Sequence, residues 1–323
     1  MPSVVGDVTA PSGLRVKFQV AHDIANAPRP ETDGTVGRLG ATCVSCHSAV
    51  DLKYVRSEGR AGRIGQQLMA VVAEGRRQRI YLSPTPEHVA AAEVPRPEDV
   101  PRGELPNNPR DFKTPNYGMT TWADLFTNRQ LSVLSTLSDL VPAVRDRVIN
   151  DGGTDDYGNA VATYLGMAIS RTLNKSTSIC SWDSSPKMEA VRGLFARQAI
   201  PMAWDFAEAN VLGNSSGNFA EDVEWVTKAL DRLPVEVAGG VAEQADAASR
   251  GYDGLLISTD PPYYDNIGYS DLSDFFYVWL RRSLRPIHPE LMSSMLVPKA
   301  EELVANPYRH NGRDGAHKFF EDG

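Results

Sequence analysis

The sequence predicts an α/β chain that joins a strand-and-helix unit to a helical insertion and to a small β segment nearer the N-terminus. Three observations point there. Toward the C-terminal end, the apolar run Leu255-Leu256-Ile257 passes through Ser258-Thr259 into a proline-stiffened turn and then a helical pattern from Leu272 to Leu284. That succession belongs to a sheet whose sites lie at the carboxyl ends of its strands. Between Thr127 and Leu230 apolar residues recur at helical spacing, and before Leu82 short alternating, glycine-punctuated stretches surround a Cys-x-x-Cys pair.

Taken in order, Leu14 to Val20 alternates apolar and polar residues and predicts a half-buried strand. Gly34 to Cys46 is a glycine-punctuated entry to the cysteine pair. Ile64 to Glu74 predicts a short helix stopped by Gly75, and Arg79 to Leu82 a strand. Seven prolines from Pro84 to Pro109 interrupt any regular element, which predicts an extended connection and the best domain boundary. The predicted division is therefore 1–82, a small β segment that the resemblance given below makes a partial zinc-ribbon-like one; 83–118, a Pro-rich linker; and 119–323, the larger domain with its helical insertion.

Thr127 to Gln130 is a capping-box sequence, followed by Leu131, Leu134, Leu137 and Val141 before Pro142. Tyr157 to Leu173 and Phe219 to Leu230 predict two further helices, all three assigned to packing and not to chemistry. Glu243 to Ala247 then precedes the Leu255 strand.

Composition sets the limits. A chain of 323 residues, 41% hydrophobic and 23% charged, buries a sizeable core in one large or two smaller domains. No stretch approaches about 18 consecutive apolar residues, and the first residues lack a basic and an apolar region of a secretory signal, so the expectation is a cytoplasmic protein without a membrane partner. Three cysteines do not build a disulfide scaffold. The net charge of −8 argues against a generally DNA-coating surface, but from Asp51 to Leu82 seven basic residues face three acidic ones, a local balance of +4. That stretch reads either as a phosphate-contacting face or as an ordinary solvated one.

The most informative motif is Asp260-Pro261-Pro262-Tyr263. Two prolines fix φ and remove two backbone donors, so the chain leaving the strand is stiff and its carbonyls point away from any ladder. Such a turn after a strand is a signature of enzymes that methylate an exocyclic amino group. The amino nitrogen of adenine or cytosine is a poor nucleophile because its lone pair is delocalised. The Asp260 carboxylate and the Pro261 carbonyl are suited to accept its two hydrogens and localise that pair. A base reaching the site must leave the helical stack, at a cost of a few kcal/mol, and the Tyr263 ring is the face on which to stack it. Tyr264 and Asn266 are candidates for shaping the substrate pocket. The competing readings are an ordinary proline-rich turn for the tetrapeptide and a bend at Asn266-Ile267-Gly268.

Cys43-Val44-Ser45-Cys46-His47 matches the attachment sequence of c-type haem, which requires export for which no signal is seen. Zinc is the better reading, with Cys43 and Cys46 at two corners of a tetrahedron; the other two ligands are not evident in the chain. Cys180, beside Ile179 and near Trp182, reads as a free buried cysteine.

Residues 260–284, with seven aromatics from Tyr263 to Trp279, resemble the zinc-ribbon-containing adenine-specific DNA methylase family. So do residues 117–119 and 122–131, Ser181-Trp182-Asp183, residues 197–208 and residues 298–305, so that the resemblance covers most of the chain from about Gly34. It implies a Rossmann-like class I methyltransferase sheet, S-adenosylmethionine as cofactor and adenine N6 in DNA as target, with Asp260, Pro261, Pro262 and Tyr263 as the catalytic loop. Asp246 resembles the acidic residue that touches the cofactor's adenine. Cys43 and Cys46 look like the second half of a ribbon. The family's glycine-rich cofactor turn has no counterpart here; Gly213 to Gly217 and Gly239-Gly240 lack the strand and acidic residue before it. The resemblance then implies an internal piece of a family member, inactive or weak alone, completed by a complementary methyltransferase fragment or a defence-system subunit. Two alternatives stay open: amino methylation of RNA or protein, and a non-catalytic nucleic-acid-binding module.

Overall fold

The computed structural model describes residues 3–9, 15–22, 35–37, 39–43, 46–185, 187–234, 240–241, 249, 251–260, 263–265 and 267–323. Their architecture is mixed α/β, as expected, but the sheets are four separate two-stranded antiparallel ladders. Among the described residues neither a parallel Rossmann-like sheet nor a zinc ribbon is formed.

The chain opens with β1 (Ser3–Thr9) and β2 (Arg15–Ala21), paired from Ser3 against Ala21 to Thr9 against Arg15. Leu14, the first residue of the predicted strand, lies outside the described residues, but the alternation holds: Val16, Phe18 and Val20 are the more buried positions, Lys17 and Gln19 are exposed. Strands β3 (Gly40–Thr42) and β4 (Ala49–Asp51) pair antiparallel, with Cys43 and Cys46 between them in sequence. Asp51 ends β4 and caps α1 (Leu52–Arg60), its carboxylate accepting from the Lys53 amide at 2.7 Å.

The predicted helix from Ile64 to Glu74 is not formed. Residues 63–70 are irregular and β5 (Val71–Gly75) pairs with β6 (Gln78–Leu82). The β-branched pair Val71-Val72 suits a strand, and Arg76-Arg77 closes a two-residue hairpin with Arg77 at φ 64°. Gly75 is thus the end of a strand and not the stop of a helix.

The proline-rich stretch also differs from expectation. It contains α2 (Pro86–Ala92), which Thr85 caps, its Oγ1 accepting from the His88 amide while the Thr85 amide donates to His88 Nδ1, both at 3.3 Å. Pro86 sits in the first turn, where its missing N–H costs nothing. Further along, Leu105 and Phe112 join the main hydrophobic core instead of hanging free.

That core is helical. Helix α3 (Asn128–Asn150) carries the predicted capping box, but it continues through Pro142 for two more turns instead of ending there. Its apolar face packs on α4 (Asp155–Leu173), and both pack on α6 (Tyr269–Leu284), with α5 (Phe219–Leu230) against α4. The short ladder of β7 (Trp182–Asp183) and β8 (Ala190–Val191) lies between α4 and α5 in sequence, and α7 (Arg313–Asp322) closes the chain. Phe126 stacks on Phe275 at 5.8 Å and meets Trp279 edge-on at 5.3 Å, which pins a 3-10 turn (Trp122–Leu125) and its exit to α6. Gly166 is needed where α4 meets α6, since a Cβ there would lie 3.0 Å from Leu284 Cδ1.

Candidate functional site

The run predicted as a buried strand is exposed. Leu255, Leu256 and Ile257 have no strand pairing, and Leu256 is 101% accessible. An apolar triplet fits a strand only when a neighbouring strand and a covering layer receive it, and no described residue supplies them. Asp260 and Tyr263 nevertheless lie together. Tyr263 Oη donates to Asp260 Oδ1 at 2.9 Å, and this bond to the carboxylate raises the pKa of the Tyr263 phenol. The Tyr263 ring is 57% exposed, a free face beside an acceptor. Pro261, Pro262, Asn266 and Asp246 lie outside the described residues.

The residues after Tyr263 are fastened on both sides. Tyr264 adopts φ 56°, its carbonyl accepts from the Ala305 amide at 3.0 Å, and its ring meets His317 and Phe320 of α7 edge-on. Tyr264 Oη also contacts His317 Nε2, so the Tyr264 side chain packs on α7. Burial, followed by the nearby Asp265 and Glu321 charges, pushes its phenol up. The Asp265 carbonyl accepts from Arg110.

Beneath this loop, the start of α6 is locked by charged groups. Gly268 offers no side-chain cap, and Glu302 takes that role by accepting from the Ser270 amide at 3.0 Å and from its hydroxyl. Arg309 bridges Asp271 at 2.8 Å and Glu302 at 2.6 Å and donates to Ser270 Oγ at 2.8 Å. Burial alone would raise the Glu302 carboxyl, but the hydrogen bonds from Ser270 and Arg309 outweigh it and hold the group low. One turn on, Asp274 is fully buried and paired with Lys299 at 2.6 Å, and burial pushes its carboxyl up despite that partner. The segments around 260–284 and 298–305, noted separately in the sequence, are therefore physically joined. The same is true of two others. Residues 122–131 and 197–208 are joined where Arg129 and Thr127 hold Glu208 at 2.8 to 3.1 Å.

The seven aromatics of the motif differ in exposure, Tyr264, Phe276 and Tyr277 being half-buried. Phe275 and Trp279 are fully buried core, whereas Tyr263 and Tyr269 are exposed. The latter pair presents the most exposed rings of the seven.

At the cysteine pair, the Cys43 amide donates to the Ser48 carbonyl and its own carbonyl accepts from the His47 amide, both at 2.9 Å, with His47 at φ 55°. A hydrogen bond with the Ser48 hydroxyl, then further contacts including Cys43, lowers the Cys46 thiol pKa. Among the described residues no group of three or more His, Cys, Asp and Glu side chains converges, so the pair supplies two donors of the four that structural zinc requires. Cys180 is buried and unbridged as expected, its thiol raised by burial.

The basic stretch is partly spoken for. Arg63 pairs with Glu58 at 2.6 Å, Arg79 with Glu74 at 2.9 Å, and Arg56 lies over the Tyr117 ring at 5.6 Å. Lys53, Arg60, Arg76 and Arg77 keep exposed side chains.

The glycine-bearing run Gly213–Gly217 is packed against the protein, since a Cβ on Gly217 would lie 2.8 Å from Ala209 Cβ, and among the described residues no parallel sheet is formed. Among the described residues no helix is long and apolar enough to cross a membrane. Comparison with models of protein families, with curated proteins and with solved structures gave no match. Sequence reading missed Arg110 and Arg309. Each follows an Asn-Pro pair by one or two residues and has partners that local pattern does not reveal, Arg110 reaching 155 positions along the chain.

Proposed function

We propose that this chain holds the target base in an S-adenosylmethionine-dependent methyltransferase acting on adenine N6 in DNA. The observation that supports the reading is the pairing of the exposed Tyr263 ring with the Asp260 carboxylate on a loop anchored at Tyr264 and Asp265. The Asp260 carboxylate and the Pro261 carbonyl accept the two N6 hydrogens and return the lone pair to the nitrogen. Tyr263 stacks on the flipped base, and base–aromatic stacking of about 1–3 kcal/mol offsets part of the unstacking cost. Tyr263 Oη uses one carboxylate oxygen at rest; Oδ2 remains for the amino group. Aspartate at the first motif position, where related enzymes of the other specificity carry serine, favours adenine over cytosine. Alignment and preorganised acceptors supply the rate, without a covalent enzyme intermediate.

A second reading, a non-catalytic nucleic-acid-binding module, is favoured by the same exposed tyrosine together with the free Lys53, Arg60, Arg76 and Arg77 side chains. Radiolabelled methyl transfer with DNA, RNA and protein in competition separates these readings. Label in DNA alone is expected; label in RNA or protein redirects the substrate, and nucleic-acid binding without any transfer favours the module.

A further inference from the structure

Two arginines outside the tetrapeptide hold the loop that carries it. On one side Arg110 donates from Nη1 to the Asp265 carbonyl while its Nε and Nη2 grip the Asp111 carboxylate at 3.1 and 3.2 Å. Asp111 is buried and accepts from Asn108 Nδ2 at 2.8 Å, so the grip has a fixed base. On the other side the Tyr264 carbonyl accepts from the Ala305 amide, in a segment that Arg309 locks to Glu302, Asp271 and Ser270. A planar guanidinium with five donors binds a carboxylate with two N–H groups and still has a third for a carbonyl; an ammonium lacks that fork.

We propose that Arg110 is a positioning residue for the Asp260–Tyr263 pair, setting with the Arg309-locked segment the direction in which the loop presents its acceptor. The inference rests on the methyltransferase reading only for what the loop presents. The anchoring acts through two backbone carbonyls, those of Tyr264 and Asp265, immediately after Tyr263. Loss of either anchor frees the two residues that fix the loop's exit, and the Tyr263 hydroxyl then leaves Asp260.

The test uses the full chain with 13C-labelled tyrosine, the Tyr263 ζ-carbon resonance being assigned by Tyr263→Phe. Arg110→Met and Arg309→Met are expected to move that resonance to the position recorded in Asp260→Asn. Arg110→Lys, which keeps the charge and loses the fork, is expected to move it as Arg110→Met does. A resonance unchanged in Arg110→Met, in a chain that circular dichroism shows to be folded, overturns the proposal; a role in stability alone lowers the melting temperature and leaves Tyr263 in place. Should the methionine variants fail to fold, hydrogen exchange on the unaltered chain decides. The Ala305 amide is then expected to be protected alongside the Ser270 amide, and free exchange at Ala305 overturns the anchoring. A chain that behaves as expected in these measurements but methylates nothing contradicts the proposed function and supports the anchoring.

Discussion

Tyr263 and Asp260 meet at 2.9 Å on the surface of the chain, and their roles separate by substitution. Tyr263→Phe keeps the ring and frees Asp260 Oδ1, so methyl transfer to DNA is expected to persist. Tyr263→Ala removes the stacking face and is expected to weaken base binding by about 1–3 kcal/mol, read as a rise in KM for a DNA substrate. Away from the loop, Asp183 illustrates charge used for stability. Hydrogen bonds from Ser185 and then Arg192 depress its carboxyl to about 2. A carboxylate whose folded pKa is depressed stabilises the fold above its ordinary unfolded value and loses that contribution as pH falls toward the folded one. The melting temperature is therefore expected to drop between roughly pH 4 and pH 2, and Asp183→Asn is expected to start lower and fall less steeply over that window.

At the scale of elements, α1 meets the chain at a point that admits no side chain. A Cβ on Gly59 would lie 2.7 Å from the Tyr117 carbonyl carbon, and Gly118 opposite it adopts φ 92°. Overpacking of this kind costs about 1–3 kcal/mol. Gly59→Ala is expected to lower the denaturant midpoint accordingly, with little change in the slope. The sequence made the helical body legible because α3, α4 and α5 carry long periodic patterns and cap residues such as Thr127. It misled where the decisive interaction was distant. Val71 to Gly75 is a strand because β6 lies beside it, whereas Leu255 to Ile257 has strand composition without a described partner. At the candidate site, Asp260 and Tyr263 were legible from their motif, but Arg110 was not, since its bond to Asp265 joins residues 155 positions apart in the chain.

At the scale of the whole molecule, α3, α4 and α6 form a buried frame, and the Asp260 loop emerges from the start of α6 where Glu302, Arg309 and the Ala305 amide fix it. Among the described residues the four two-stranded ladders add no common sheet to that frame, and the proposed base-holding role rests on the loop alone. The most direct measurement is mass spectrometry of DNA from cells expressing the chain or its Asp260→Ala variant. N6-methyladenine well above the background of control cells with the unaltered chain, and at background with Asp260→Ala, is the predicted result; equal levels in the two would contradict the assignment of Asp260 and with it the proposed reaction.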